Sequence, residues 1–155
     1  MGFGYDSHRF GADRALVLGG VTVEHETGLI GHSDGDAVVH AVIDALLGAA
    51  AMGDIGRLFP NTDAAWKDAD SILMLKEVRR RLEASGYTVF NVDVTVVTET
   101  PKLSPYADAM RDRIAHGLRI PATAISVKAK SNEGMDAVGE RKGLEAYAVV
   151  SLGES

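Results

Sequence analysis

Asp34-Gly35-Asp36-Ala37-Val38-Val39-His40-Ala41-Val42-Ile43-Asp44-Ala45-Leu46-Leu47-Gly48-Ala49-Ala50-Ala51 is the stretch on which the fold turns. Ser33 or Asp34 is placed to cap a helix there, Asp36 suits the positive end of its dipole, and Gly53 lies just past its end. Between those signals nearly every face is apolar. The spacing therefore predicts a buried helix over 34–51, which other elements must enclose.

The flanking segments supply the enclosure. Gly2 to Phe10 reads as an opening strand, and Leu16 to Val23 as two short extended runs about the Gly19-Gly20 turn. Gly53 to Asp68 has no periodicity and predicts a loop, of a length that is usually functional. Ser71 to Ser85 is an amphipathic helix, with Ile72, Leu75, Val78 and Leu82 on one face and Gly86 as terminator. From Tyr87 to Thr98, Val92, Val94 and Val96 alternate with Asp93 and Thr95, as a strand with one buried face requires. Ser104-Pro105 opens a third helix to about Gly117. Ile125 to Lys130 and Leu144 to Leu152 are two further strands, separated by a Gly-containing excursion from Ser131 to Gly143. The expected fold class is α/β, an α+β sandwich: a single mixed β-sheet with helices packed on it, in one domain over residues 1–155.

Composition narrows the function. A net charge of -6 argues against nucleic-acid binding, which needs a surplus of Lys and Arg on one face. With no cysteine in the chain, disulfides and thiolate metal sites are excluded, so a metal must rest on His and carboxylates. The N-terminal residues carry no signal-peptide pattern, and the longest apolar stretch, Ala37 to Met52, is interrupted by His40 and Asp44 and too short for a bilayer. A cytoplasmic protein without a membrane span is expected.

Asp6 and His8 leave the same face of the opening strand, as two ligands of one ion would. They are read equally well as a strand-end Asp and a surface His. On the buried helix, Asp36, His40 and Asp44 recur every fourth residue and Ser33 precedes them on the same stripe. His40 alone is as readily a core histidine bonded to a carbonyl, but the whole stripe must face something polar. A neutral His40 would complete a three-ligand site with Asp6 and His8, with an open coordination position, and Asp36 or Asp44 would be its orienting partner. His32-Ser33-Asp34-Gly35-Asp36 sits at the helix start, where free N–H groups attract phosphate, or it merely caps the helix.

Five runs taken together resemble the 2-C-methyl-D-erythritol 2,4-cyclodiphosphate synthases. They are Tyr5-Asp6-Ser7-His8, His32-Ser33-Asp34-Gly35-Asp36, His40-Ala41-Val42-Ile43-Asp44-Ala45-Leu46-Leu47-Gly48, Gly53-Asp54-Ile55-Gly56-Arg57-Leu58-Phe59-Pro60 and Pro101-Lys102-Leu103. They stand in the family's order and spacing, and the resemblance covers essentially the whole chain. It implies a phosphorus–oxygen lyase of non-mevalonate isoprenoid biosynthesis, a homotrimer with one site at each subunit interface. Its substrate would be 4-diphosphocytidyl-2-C-methyl-D-erythritol 2-phosphate, cyclised with loss of CMP. It further implies zinc on Asp6, His8 and His40, and a second divalent ion, magnesium or manganese, between Glu133 and the substrate phosphates.

The resemblance also assigns transition-state support to His32 and Ser131, with Asp6, His8 and Ser33 contacting substrate. The sugar-phosphate pocket falls to Asp54-Ile55-Gly56 and Phe59-Pro60-Asn61-Thr62-Asp63. The cytidine diphosphate pocket falls to Thr98-Glu99-Thr100-Pro101-Lys102-Leu103-Ser104 and Lys130-Ser131-Asn132-Glu133. The segment Ala137-Val138-Gly139-Glu140-Arg141-Lys142-Gly143 departs from the family pattern, with Ala137 in place of an aromatic residue, Glu140 in place of Arg and Lys142 in place of Glu. In the family these positions bear on a trimer-axis cavity for isoprenoid diphosphates. Glu140 is expected to repel that ligand while Arg141 or Lys142 restores some positive charge.

Two other functions use the same residues. A metal-dependent phosphohydrolase would activate water on the zinc and give a linear product. A non-catalytic trimeric binding module would need no zinc at all.

Overall fold

The computed structural model describes residues 1–154. β1 (Gly2–Gly11) is followed by the hairpin β2 (Leu16–Leu18) and β3 (Val21–Val23), then by the two-residue β4 (Gly28–Leu29). Next come α1 (Ala37–Ala49), α2 (Ile55–Leu58), α3 (Ser71–Ala84) and β5 (Tyr87–Val97). The order ends with α4 (Ala107–Leu118), β6 (Ile125–Lys130), α5 (Asp136–Gly139) and β7 (Gly143–Glu154).

Five strands make one mixed sheet in the order β4-β1-β7-β5-β6. β5 and β6 run parallel, with α4 in the crossover between them, and the other neighbours are antiparallel. The hairpin β2–β3 stays outside this sheet as a separate ribbon, so the expectation of a single sheet is corrected in that detail.

Alternation divides the sheet into two faces. Leu144, Ala146, Ala148 and Val150 of β7 and Val92, Val94 and Val96 of β5 are buried with α1, α3 and α4. On β1 the same parity is held by Gly2, Gly4, Asp6 and His8. A Cβ on Gly4 would collide with the Ala41 carbonyl oxygen and come within 2.7 Å of the Ala45 nitrogen, and Gly2 meets Ala45 and Ala49 in the same way. The two glycines thus let α1 lie directly on the β1 backbone. That close approach brings His40, on the first turns of α1, level with Asp6.

Three local readings are corrected. α1 begins at Ala37 with Asp36 as its N-cap, not at Asp34 with Ser33 or Asp34, because the Asp36 side chain turns back to accept the Val39 N–H at 3.0 Å. The 53–68 segment is not all loop. Asp54 and Asp63 cap α2 and a 3-10 turn at Ala64–Trp66, by accepting from Arg57 and Ala65 respectively. The excursion after β6 likewise holds a single helical turn, α5.

Candidate metal centre and substrate cleft

Asp6 and His8 project from β1 and His40 from α1, and the three converge. Asp6 Oδ2 lies 2.8 Å from His8 Nε2 and 3.0 Å from His40 Nδ1. Among the described residues this is the group of three His or carboxylate side chains able to hold one ion, with one donor atom from each within 4.8 Å of the others. Each is half-buried. Burial alone would raise the Asp6 pKa, but hydrogen bonds from His40 and His8, with their charges, hold it down at about 2. Burial opposes the charged form of His8, and the hydrogen bond and charge of Asp6 outweigh it and raise its pKa.

The outward nitrogens show that the donor set fits a cation. His8 Nδ1 lies 2.6 Å from the Ile30 carbonyl oxygen, which can only accept, so this nitrogen carries the proton. In its neutral form the ring then turns the Nε2 lone pair inward, where Asp6 and His40 also present their donor atoms. His40 Nε2 lies 2.9 Å from the Ser71 hydroxyl and 3.0 Å from the Ser33 hydroxyl, with Nδ1 facing inward. Without a cation, two ring nitrogens must approach one Asp6 oxygen through protons, and His8, already protonated at Nδ1, would have to be an imidazolium. A divalent ion satisfies the inward lone pairs without that cost.

Neither Asp36 nor Asp44 orients His40, which corrects that expectation. Asp36 is fully buried, and its carboxylate accepts from Gly19 N at 2.8 Å and Gly20 N at 2.6 Å besides capping α1. Burial, with the nearby Asp34 charge, pushes its pKa up to about 6 against those N–H donors. Asp44 accepts from Ile55 N at 2.8 Å and so ties the start of α2 to α1. Side chains four apart share a stripe, yet each here meets a different neighbour, because the three span more than two turns.

Ser71 is the residue that touches His40 and that sequence reading passed over, since a Ser beginning a helix looks like ordinary capping. Arg14 was missed too. Its guanidinium donates to the Gly31 carbonyl at 2.9 Å and the Ser33 carbonyl at 2.7 Å, gripping the chain on both sides of His32. The His32 carbonyl also accepts from Asp68 N at 3.0 Å, and the residue stays exposed. No sequence signal distinguished Arg14 from a surface Arg.

The remaining expected residues lie elsewhere. Pro60, Asn61, Thr62 and Asp63 are exposed beside α2, but Phe59 is buried against Trp66, with ring centroids 4.6 Å apart, so its ring serves the core. Thr98 is buried and donates to the Thr100 carbonyl at 2.6 Å at the cis Thr100–Pro101 bond. Glu99 accepts from Asn132 N at 2.6 Å and Gly134 N at 3.4 Å, and Ser131 donates to Glu133 at 2.9 Å. The two segments expected to hold the nucleotide are thereby joined.

They are not joined to Asp6, His8 and His40 within one chain. Asp6 is level with Ala146, Val96 and Ala129 across the sheet, three strand spacings or roughly 14 Å from β6. Ser131 and Glu133 lie beyond that. The departing segment, by contrast, folds back to β1. A cleft of about 790 Å³ is lined by Ser7 to Phe10 and by Ala137, Arg141 and Lys142, which brings basic side chains next to His8. Glu140 is exposed and ion-paired with Lys142, which lowers its pKa. Its charge is therefore solvated and partly neutralised, so the strong repulsion expected of it is reduced.

Fold and site together define a class: an α/β protein with a mixed sheet, two histidines and one carboxylate on β1 and α1 that could hold a cation, and a basic cleft beside them. The chain belongs to the YgbB family, whose model matches residues 1–153. It is 53% identical over 152 residues to 2-C-methyl-D-erythritol 2,4-cyclodiphosphate synthase of Salinibacter ruber, covering 98% of this chain and 97% of that one. To the enzyme of the same name from Vibrio vulnificus it is 50% identical, covering 98% and 96%. A solved structure of 2C-methyl-D-erythritol-2,4-cyclodiphosphate synthase in a CDP-bound form superposes with a TM-score of 0.90 at 39% identity, covering 98% of this chain and 99% of that one. The bifunctional IspDF of Campylobacter jejuni superposes with a TM-score of 0.96 at 39% identity. The match covers 99% of this chain, which spans 42% of that longer one. No helix among the described residues is long and apolar enough to cross a membrane.

Proposed function

We infer that the chain, folded as one domain, has the activity that names its relatives, converting 4-diphosphocytidyl-2-C-methyl-D-erythritol 2-phosphate to the 2,4-cyclodiphosphate and CMP. The observation that carries this reading is the convergence of Asp6, His8 and His40 with both outward imidazole nitrogens already hydrogen-bonded. An oxygen of the 2-phosphate bonds to the diphosphate phosphorus nearer the sugar. The bond from that phosphorus to the oxygen bridging to the cytidylyl group breaks, and CMP leaves with the bridging oxygen and its electron pair. Nucleophile and electrophile belong to one molecule, so holding them in line contributes up to roughly 7–11 kcal/mol.

Zinc suits the two imidazoles and carboxylate of Asp6, His8 and His40, and magnesium or manganese suits the carboxylate of Glu133. When bound, these cations neutralise phosphate charge as the bond to CMP breaks. His32, fixed in place by Arg14, and Ser131, held by its turn, donate to phosphate oxygens. Thr98 to Ser104 and Lys130 to Glu133 hold the cytidine diphosphate. Asp54 to Gly56 and Pro60 to Asp63 hold the sugar.

The site is completed by a second copy in a homotrimer. Two observations support this: the roughly 14 Å between the two halves of the site in one chain, and the uncovered face of the sheet. That face carries exposed Phe3, Tyr5 and Val149, with Tyr147 packed between Phe3 and Tyr5. Sedimentation giving a fully active monomer would refute the trimer. Mass spectrometry tests the reaction, since the cyclic product is one water lighter than the product of hydrolysis. The open-chain 2,4-bisphosphate alone would establish the phosphohydrolase instead.

A further inference from the structure

Ser71 is completely buried at the start of α3, and its hydroxyl stands between two partners. On one side Asp34 Oδ1 lies 2.5 Å away, and on the other His40 Nε2 lies 2.9 Å away. Asp34 also accepts from Ser71 N at 2.8 Å and from Asp36 N at 3.0 Å, so three donors converge on this one carboxylate. A carboxylate in that role only accepts. The single proton of the Ser71 hydroxyl is therefore committed to Asp34, and only its lone pairs face His40. His40 Nε2 must be the donor. In a neutral ring, Nδ1 then carries the lone pair, and it is Nδ1 that points at Asp6 and His8.

We propose that Asp34 and Ser71 are positioning residues for the cation: the Asp34–Ser71–His40 chain fixes His40 in its Nε2–H tautomer and so presents Nδ1 as a ligand. The proposal rests on the cation reading of Asp6, His8 and His40. Ser33, which also approaches Nε2, is a poorer determinant, because its hydroxyl accepts or donates with equal ease at 3.0 Å. Asp34→Asn makes the sharpest perturbation. If the amide oxygen keeps the Ser71 N–H, the amide NH₂ faces the Ser71 hydroxyl and donates to it. The hydroxyl proton then turns to His40 Nε2, and the ring is driven to the Nδ1–H tautomer, which cannot bind a cation through Nδ1. Ser71→Ala only removes the preference, leaving Ser33 as partner.

The test has two readouts on the full-length chain. Long-range proton–nitrogen correlation NMR of metal-free, nitrogen-15-labelled protein at pH 8 reports the His40 tautomer without any metal. Zinc affinity is measured by competition with a chromophoric chelator. The wild type should show a protonated Nε2, the donor to the Ser71 hydroxyl. Ser71→Ala should show mixed tautomers and a zinc affinity weaker by about 10–100-fold, the usual effect of removing an outer hydrogen-bond partner of a metal ligand, with Asp34→Asn weaker still. A wild-type His40 with no proton on Nε2 would overturn the proposal even if neither variant folds. Folded variants within twofold of wild-type zinc affinity would do so too. A wild type that shows the Nε2–H tautomer yet binds no zinc would instead overturn the cation reading and leave the tautomer assignment standing.

Discussion

Replacing Asp36 by Ala should strip one carboxylate from three backbone donors at once. Gly19 N at 2.8 Å, Gly20 N at 2.6 Å and Val39 N at 3.0 Å all lose their acceptor at a fully buried position that water does not reach. The two glycine N–H groups left unsatisfied cost about 1–3 kcal/mol each, and loss of the helix cap at Val39 about 1 kcal/mol, so a deficit of about 3–7 kcal/mol is expected at pH 5. Its pH dependence has a definite sign. The folded-state pKa, about 6, lies above the ordinary 3.8. The associated stability is therefore full below the ordinary value and lost as pH rises through 6. Linkage over that interval makes the deficit about 1.4 kcal/mol smaller at pH 8 than at pH 5. Urea unfolding of wild type and variant at both pH values measures this. A deficit below about 1 kcal/mol at pH 5, or one that grows towards pH 8, would refute the reasoning.

Other perturbations probe different joints of the structure. Gly4→Ala forces a methyl group into the Ala41 carbonyl of α1, so it should cost about 1–3 kcal/mol or more by overpacking. It should also weaken zinc binding by displacing His40, and unchanged zinc affinity in a correctly destabilised variant would show that the helix–strand approach does not set the site. In the metal-free protein, Asp6, held at about 2, contributes stability that is present above its ordinary 3.8 and lost as pH falls through 2. The stability gap between wild type and Asp6→Asn should accordingly close between pH 4 and pH 2, and a constant gap would contradict the assigned shift. Glu133→Gln should reduce the response of activity to magnesium while zinc stays bound, and an unaltered magnesium titration would remove Glu133 from the second cation.

Four of the five sheet strands were legible: β6 matches its predicted limits, and β1, β5 and β7 differ only at their ends, whereas the two-residue β4 was not foreseen because it is too short to show an alternation. Asp6, His8 and His40 were legible as candidates because polar residues on an apolar helix and a strand parity stand out locally. That they meet was not legible. It depends on Gly2 and Gly4 admitting α1 to the β1 backbone, a long-range packing fact that sequence spacing does not carry. The partners of His40 were misassigned to Asp36 and Asp44 because periodicity reports which residues share a stripe, not what each reaches. Ser71, 31 residues from His40, and Arg14, 17 residues from Gly31, act through the tertiary fold alone. The short helices α2 and α5 escaped because a single turn is too brief to show a period.

Phosphorus NMR of the cytidyl substrate incubated with the protein, zinc and magnesium tests the central claim most directly. The account predicts that the 2-phosphate monoester resonance of the substrate is lost as two mutually coupled resonances of a cyclic diphosphate appear, in step with one equivalent of CMP. Release of CMP with the 2-phosphate monoester still present, or a spectrum that does not change, would contradict it.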